Sequence, residues 1–128
     1  MRASVPTGNP WGDIVGYSRA IRAGNVIFVS GTTAAGEDGR ALYPGDPGRQ
    51  TNVILERIEA ALSKLGGSLN DVVETRIYVC DMDQWEAVGR AHGAVFAAIR
   101  PATTMVEVNR LIASDLVVEI SATAVLPE

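Results

Sequence analysis

Residues 116–126 read Leu116-Val117-Val118-Glu119-Ile120-Ser121-Ala122-Thr123-Ala124-Val125-Leu126. The run is too short to span a bilayer and too rich in β-branched residues for a loop, so it reads as a strand. Leu116-Val117-Val118 and Val125-Leu126 are apolar on successive residues, which places apolar side chains on both faces. A sheet that is apolar on both sides needs two covers. One carboxylate, Glu119, interrupts the run. Such a group is expensive in an apolar strand unless it is solvated, paired or functional. It is either a residue on a half-exposed face or a desolvated acid or base in a cleft.

Working outward from this strand, the rest of the chain supplies one of the two covers. Residues 1–13 read as an irregular lead-in rich in Gly, Pro and Asn. Ile14–Ile21 and Val26–Ser30 read as strands joined at Ala23-Gly24-Asn25, a hairpin signal. Residues 31–46 hold five glycines or prolines and read as a loop. Gly31 follows a strand directly, where bare backbone could approach a ligand. Asp46-Pro47 predicts the cap and first residue of a helix. Its apolar stripe is Ile54, Ile58, Ala61, Leu62 and Leu65, and Gly66-Gly67 stops it. Val72–Cys80 reads as a strand with Val73, Thr75, Ile77 and Val79 on one face. Asp83, with Glu86 three residues on, predicts the start of a second helix. Its stripe is Trp85, Val88, Val95, Phe96 and Ile99, and Pro101 ends it. Thr103–Val108 and Leu116–Leu126 complete the strands.

The predicted order is β-β-α-β-α-β-β, an α+β domain over residues 1–128 with both helices on one face of a mixed sheet. Two helices cover one face only. The expected second cover is another copy of the chain.

Composition narrows the chemistry. Lys plus Arg is 11 against 15 for Asp plus Glu, a net charge of −4, which argues against a nucleic-acid partner. One cysteine excludes a disulfide framework or cysteine-cluster metal site, and one histidine excludes a multi-histidine centre. No metal site is expected. Asp38, Asp46, Asp81 and Asp83 have no metal-loop spacing. The sequence has no Walker loop, GxGxxG, HExxH or GxSxG motif. It shows no membrane-spanning run. The stretch 1–13 has no signal-peptide core, so a cytoplasmic location is expected. His92 reads as a hydrogen-bonded core-edge residue, Glu107 and Arg110 as a structural salt bridge, Cys80 as a small buried residue, and Trp11 and Trp85 as packing residues.

Several stretches together resemble the Rid family of enamine/imine deaminases, also called the YjgF family. They are Ile14-Val15-Gly16-Tyr17, Gly24-Asn25-Val26-Ile27-Phe28-Val29-Ser30-Gly31 and Val79-Cys80-Asp81-Met82, then Arg100 through Leu111 (Arg-Pro-Ala-Thr-Thr-Met-Val-Glu-Val-Asn-Arg-Leu), then Val118-Glu119-Ile120-Ser121-Ala122. The similarity runs in order along nearly the whole chain. It implies a chorismate-mutase-like fold, a homotrimer with the sheets facing an inner barrel, and small-molecule clefts between subunits. In deaminating members such clefts hydrolyse reactive enamines or imines to a keto acid and ammonia without cofactor. Residue by residue, the resemblance makes Glu119 the catalytic glutamate that positions the attacking water. It makes Tyr17 and Gly31 substrate contacts, and Met105 stands where many members have a pocket cysteine. Two positions depart. Thr103 stands where deaminating members carry an arginine that grips a substrate carboxylate, and Gly89 stands where some have an asparagine. A threonine cannot form a bidentate clamp. The expected activity is therefore cofactor-free deamination of an enamine, imine or related metabolite shifted away from 2-imino acids. The alternative is a small-molecule-binding trimer without turnover. RNA cleavage, a label some relatives carry, fits the charge poorly, and a purely structural trimer is the last reading.

Overall fold

The computed structural model describes residues 2–128. Six strands form one mixed sheet: β1 (Arg2–Val5), β2 (Ala20–Ala23), β3 (Val26–Thr32), β4 (Val72–Val79), β5 (Ala102–Glu107) and β6 (Val118–Val125). Their order across the sheet is β1-β2-β3-β6-β4-β5. Every pairing is antiparallel except β4–β5. The helices are α1 (Gly12–Val15), α2 (Pro47–Lys64) and α3 (Trp85–Phe96). The two strand–helix–strand crossovers behave differently. The α3 crossover joins neighbours β4 and β5. The α2 crossover leaves a gap between β3 and β4 into which the last strand, β6, inserts.

The α2 ends follow their sequence signals. The Asp46 side chain accepts from the Arg49 amide at 3.1 Å, Pro47 occupies the first turn, and Gly66 adopts φ 86° just past the last turn. The stripe Ile54, Ile58, Ala61, Leu62 and Leu65 is buried, together with Val88 and Phe96 of α3, against Ile27, Val29, Ile77, Val79, Val118, Ile120, Ala122 and Ala124 of the sheet. Both long helices thus share one face.

Several local expectations are corrected. The lead-in contains an edge strand, because residues 2–5 pair with 20–23. Ile14 and Val15 are not in a strand: they belong to the short α1, which Gly16 ends at φ 83°, and both are exposed. The strand begins only at Ala20. On β4 the inward face starts with Val72, not Val73, which is 47% exposed. A register shift between Val72 and Glu74 against β6 inserts the extra residue. Asp83 does not cap α3. Asp81 caps a preceding 3-10 turn (Met82–Gln84) by accepting from the Asp83 amide. Trp85 is 54% exposed and lies outside the packed stripe. The last strand is apolar on both faces only at its ends. Val118, Ile120, Ala122 and Ala124 face the helices, whereas Glu119, Ser121 and Thr123 turn to the open side. That open side is mixed: Phe28, Val106 and Val125 are exposed there beside an Arg76 that donates to Glu74 and Ser121.

Among the described residues no helix is long and apolar enough to cross a membrane, and no cluster of acidic, His or Cys side chains could hold a metal ion.

Candidate active site

A second register shift, between Val29 and Thr32, breaks the pairing of β3 with β6. It inserts one residue at Ser30–Gly31. The bulge turns the Gly31 backbone toward the next strand, where Glu119 lies. A β-carbon at Gly31 would overlap Glu119 Oε2 and press on its carboxyl carbon. The Glu119 carboxylate thus lies flush on the Gly31 backbone, and a side chain at position 31 would have to push it aside.

These two residues line a cavity of about 630 Å³. Its other walls are the 5–19 segment, the Thr32–Ala35 stretch and the side chains of Arg57, Ala60 and Lys64 on α2. Tyr17 lies on the wall, and its hydroxyl accepts from Asn9 Nδ2 at 3.1 Å. Asn9 Oδ1 in turn accepts from the amides of Trp11 and Gly12, which fixes the start of α1. Trp11 also lines the cavity.

Two arginines that the sequence reading passed over dominate the electrostatics. Arg19 Nη1 donates to the Gly31 carbonyl at 3.1 Å and to Thr32 Oγ1 at 2.6 Å, and its guanidinium lies 6.0 Å from the Tyr17 ring centre. Arg57 Nη1 donates to the carbonyls of Thr33 at 2.9 Å and Ala35 at 2.6 Å. Burial lowers the pKa of both. For Arg19 the neighbouring Tyr17 and Glu119 act against it, and for Arg57 the like charge of Arg19 adds to it. Burial pushes the Glu119 carboxyl up from its ordinary value, and Arg19 pulls it back in part. A signal for Arg57 was present in the sequence. Its neighbours three and four residues away on the helix are Val53, Ile54, Ala60 and Ala61, so a cation interrupts an apolar face. Arg19 follows Tyr17 by two residues and carries no such pattern.

The expected site residues fall into two groups. Tyr17, Gly31 and Glu119 meet at the cavity. Thr103, Met105 and Gly89 do not line it. β5 is two strands from β6, roughly 10 Å at the usual spacing. Thr103 and Met105 also pair with Thr75 and Ile77, on the helix-covered face opposite Glu119. Thr103 Oγ1 bonds Thr75 Oγ1 at 2.8 Å, and Thr75 Oγ1 bonds His92 Nε2 at 2.9 Å. His92 stacks at a tilt on Phe96, 4.6 Å between ring centres, and burial lowers its pKa. It is the hydrogen-bonded core-edge residue that the sequence implied.

Two smaller expectations are corrected. Glu107 does not pair with Arg110: its carboxylate accepts from the Met82 amide at 2.8 Å, and the described residues show no salt bridge between the two. Cys80 is only half-buried, with Sγ 3.8 Å from the Leu116 carbonyl, and burial raises its pKa, which keeps it a thiol.

Comparison with known proteins places this geometry. The family described as Endoribonuclease L-PSP matches residues 9–126. A RutC family protein of Pyrococcus horikoshii is 36% identical over 124 residues, which is 97% of this chain and 98% of the relative. The 3-aminoacrylate deaminase RutC of Acinetobacter baylyi is 33% identical over 120 residues, 94% of each chain. The crystal structure of Rv2704 from Mycobacterium tuberculosis, a member of the YjgF/YER057c/UK114 family, superposes with a TM-score of 0.89. It is 46% identical and covers 98% of this chain and 100% of its own.

Proposed function

Because this chain belongs to the YjgF/Rid family, the family described as Endoribonuclease L-PSP, we propose that it is a cofactor-free deaminase that hydrolyses a small reactive enamine or imine, with Glu119 as its catalytic carboxylate. The observation that carries this reading is the Glu119 carboxylate lying flush on the Gly31 backbone inside a cavity that also holds Tyr17 and Arg19. The deaminase name of the 33% identical Acinetobacter relative supports the reaction class.

Glu119 is half-buried, and burial holds its carboxyl above the ordinary value, which makes it a stronger base than a solvated carboxylate. As the imine, C=NH, enters, the carboxylate takes a proton from a water whose oxygen attacks the imine carbon. The carbinolamine that forms holds one oxygen and one nitrogen on that carbon. The protonated carboxyl returns its proton to the nitrogen, which leaves an –OH and an –NH2 on that carbon. The carboxylate then passes the hydroxyl proton to the –NH2, the C–N bond breaks, ammonia leaves, and a carbonyl remains. Water supplies the oxygen, so the balance is imine plus water to carbonyl plus ammonia. The Gly31 backbone and the Tyr17 hydroxyl set the pose, which accounts for most of what such a site contributes. Thr103 has no charge and is already bonded to Thr75, so it cannot grip a carboxylate beside the reacting carbon. The substrate is accordingly not the usual 2-imino acid.

The protein acts as a homotrimer in this reading. The cleft is completed by a neighbouring copy, whose Thr103, Met105 and Gly89 face the cavity that Tyr17, Gly31 and Glu119 begin. RNA cleavage is disfavoured by the net charge of −4.

The test is ammonia and keto-product release in a coupled assay. An amino-acid oxidase generates 2-imino acids, and other imines form from amines and aldehydes. Wild type, Glu119→Gln and Thr103→Arg are compared. Acceleration of at least one imine's hydrolysis by wild type, lost in Glu119→Gln, is expected, as is gain of 2-imino acid turnover in Thr103→Arg. Turnover unchanged in Glu119→Gln overturns the mechanism. Ligand binding with no hydrolysis of any imine would make the protein a binding trimer instead.

A further inference from the structure

The cavity contains more positive charge than its proposed chemistry uses. Arg19, Arg57 and Lys64 line it against two carboxylates, Glu37 and Glu119, although the whole chain is acidic. Neither Arg19 nor Arg57 forms a salt bridge among the described residues. Each spends one terminal nitrogen, Nη1, on the Gly31–Ala35 stretch. A guanidinium has five N–H donors in a planar fork. Arg19 also lies beside Tyr17, and apart from that contact the remaining donors of the two forks have no hydrogen-bond partner among the described residues. The two cations line the same cavity and reach the same five-residue stretch, Arg19 at Gly31 and Thr32 and Arg57 at Thr33 and Ala35. Two like charges on one wall, half out of water, with Glu119 as the neighbouring carboxylate of Arg19 and no salt bridge among the described residues to either guanidinium, favour an added anion.

We propose that Arg19 and Arg57 form the anion-binding subsite of this cleft, taking the carboxylate, or another small oxyanion, of the substrate. The grip on negative charge therefore sits on the Gly31–Glu119 side of the cavity and not at position 103. This rests on the deaminase reading for what happens next to Glu119, but not for the binding itself. It also narrows the substrate: an enamine or imine whose anionic group lies away from the position that residue 103 would reach. The competing account is that both arginines only pin the Gly31–Ala35 stretch. That account predicts lost stability without lost affinity for anions.

The experiment measures calorimetric binding of three probes: pyruvate, inorganic phosphate and neutral acetamide. The proteins are wild type, Arg19→Gln, Arg57→Gln and, as a charge control outside the cavity, Arg49→Gln. Glutamine keeps a donor for the loop carbonyls and removes the charge, and a thermal melt confirms that each variant is folded. The expected result is that wild type binds at least one anion and not acetamide, and that Arg19→Gln and Arg57→Gln bind it roughly tenfold or more weakly, as loss of a charge-assisted hydrogen bond implies. Arg49→Gln should bind as wild type does. Preference between pyruvate and phosphate identifies the oxyanion. If neither anion binds better than acetamide, or if both arginine variants keep wild-type affinity, the subsite does not exist. Should either variant be too unstable to purify, the lysine replacement at that position keeps the charge and is expected to retain binding, and its failure counts against the proposal. The deaminase reading is separable. Arginine-dependent binding without turnover removes the reaction and keeps the subsite. Turnover whose KM is unmoved by either arginine removes the subsite and keeps the reaction.

Discussion

Glu119 and Gly31 form one unit at the residue scale. Adding a methyl at Gly31 drives it into the carboxylate. Gly31→Ala is therefore expected to displace Glu119 and to cut turnover at least tenfold through misplacement of the base, with a stability loss below about 1 kcal/mol because the carboxylate can swing aside. Steady-state kinetics and urea titration measure both. Glu119 carries a pH prediction too. Its folded pKa is raised, mainly by burial. The folded protein thus holds that proton more tightly than the unfolded chain does, and ionising the group weakens the fold as pH rises beyond its unfolded value. Glu119→Gln removes this penalty. It should melt higher than wild type at pH 8, and the gain should disappear as the pH falls toward about 4, the ordinary range for a glutamate. Equal melting temperatures at pH 8 would show that the carboxylate is not desolvated. The peculiarity of Glu119 was legible in the sequence as a charge in an apolar strand, and Gly31 as bare backbone at a strand end. That one touches the other was not, because the contact depends on a one-residue bulge that alternation cannot reveal. Arg19 was invisible for the same reason: its partners are backbone carbonyls that only folding supplies.

Elements whose apolar period is long and whose ends carry cap residues were readable. Asp46-Pro47 and Gly66-Gly67 bound α2 as written, and the stripe between them is its buried face. Short elements were not. Ile14 and Val15 look like the start of a strand, yet Gly16 at φ 83° closes a single helical turn there, and the chain extends only from Ala20. Edge strand β1 was hidden because four residues carry too little pattern. One α2 residue does work that periodicity cannot show. Gln50 is fully buried, and its Nε2 donates to the carbonyls of Leu42, Tyr43 and Asp115, while Oε1 accepts from the Val117 amide at 3.0 Å. It joins the loop before α2 to the entry of β6. It also holds Tyr43, whose φ of 47° is costly for a bulky residue. Gln50→Leu keeps the volume and removes every bond. It should lose about 3 kcal/mol in denaturant unfolding, because several buried backbone groups lose their partner together. A loss below 1 kcal/mol would mean that the loop repacks without it.

At the scale of the whole molecule, the open face of the sheet bears on the trimer proposed above. Both long helices lie on one face, so the other presents Phe28, Val106 and Val125 to solvent in a single chain. Phe28 is 52% exposed and pairs across the sheet with Thr123, in the middle of that face. The sequence pointed to a second copy from apolar residues on both sides of the last strand. The structure moves the basis of that expectation to a few apolar side chains among Glu74, Arg76, Ser121 and Thr123, a mixed surface of the kind found where subunits meet. The proposed site residues bear on the same point. Thr103 and Met105 stand on the opposite face of a strand two places from Glu119, so within one chain they cannot join it. In the proposed trimer another copy would bring such residues to the cavity. Phe28→Glu tests both points together. A carboxylate at the centre of the face would have to be buried unpaired in the assembly, whereas it is harmless in a free chain. Sedimentation of wild type should give three times the chain mass, and Phe28→Glu should shift it to the monomer while far-UV circular dichroism keeps the fold. Imine hydrolysis should fall with the loss of the neighbour. A wild type that sediments as a monomer removes the trimer. A Phe28→Glu that stays trimeric places the interface on some other surface.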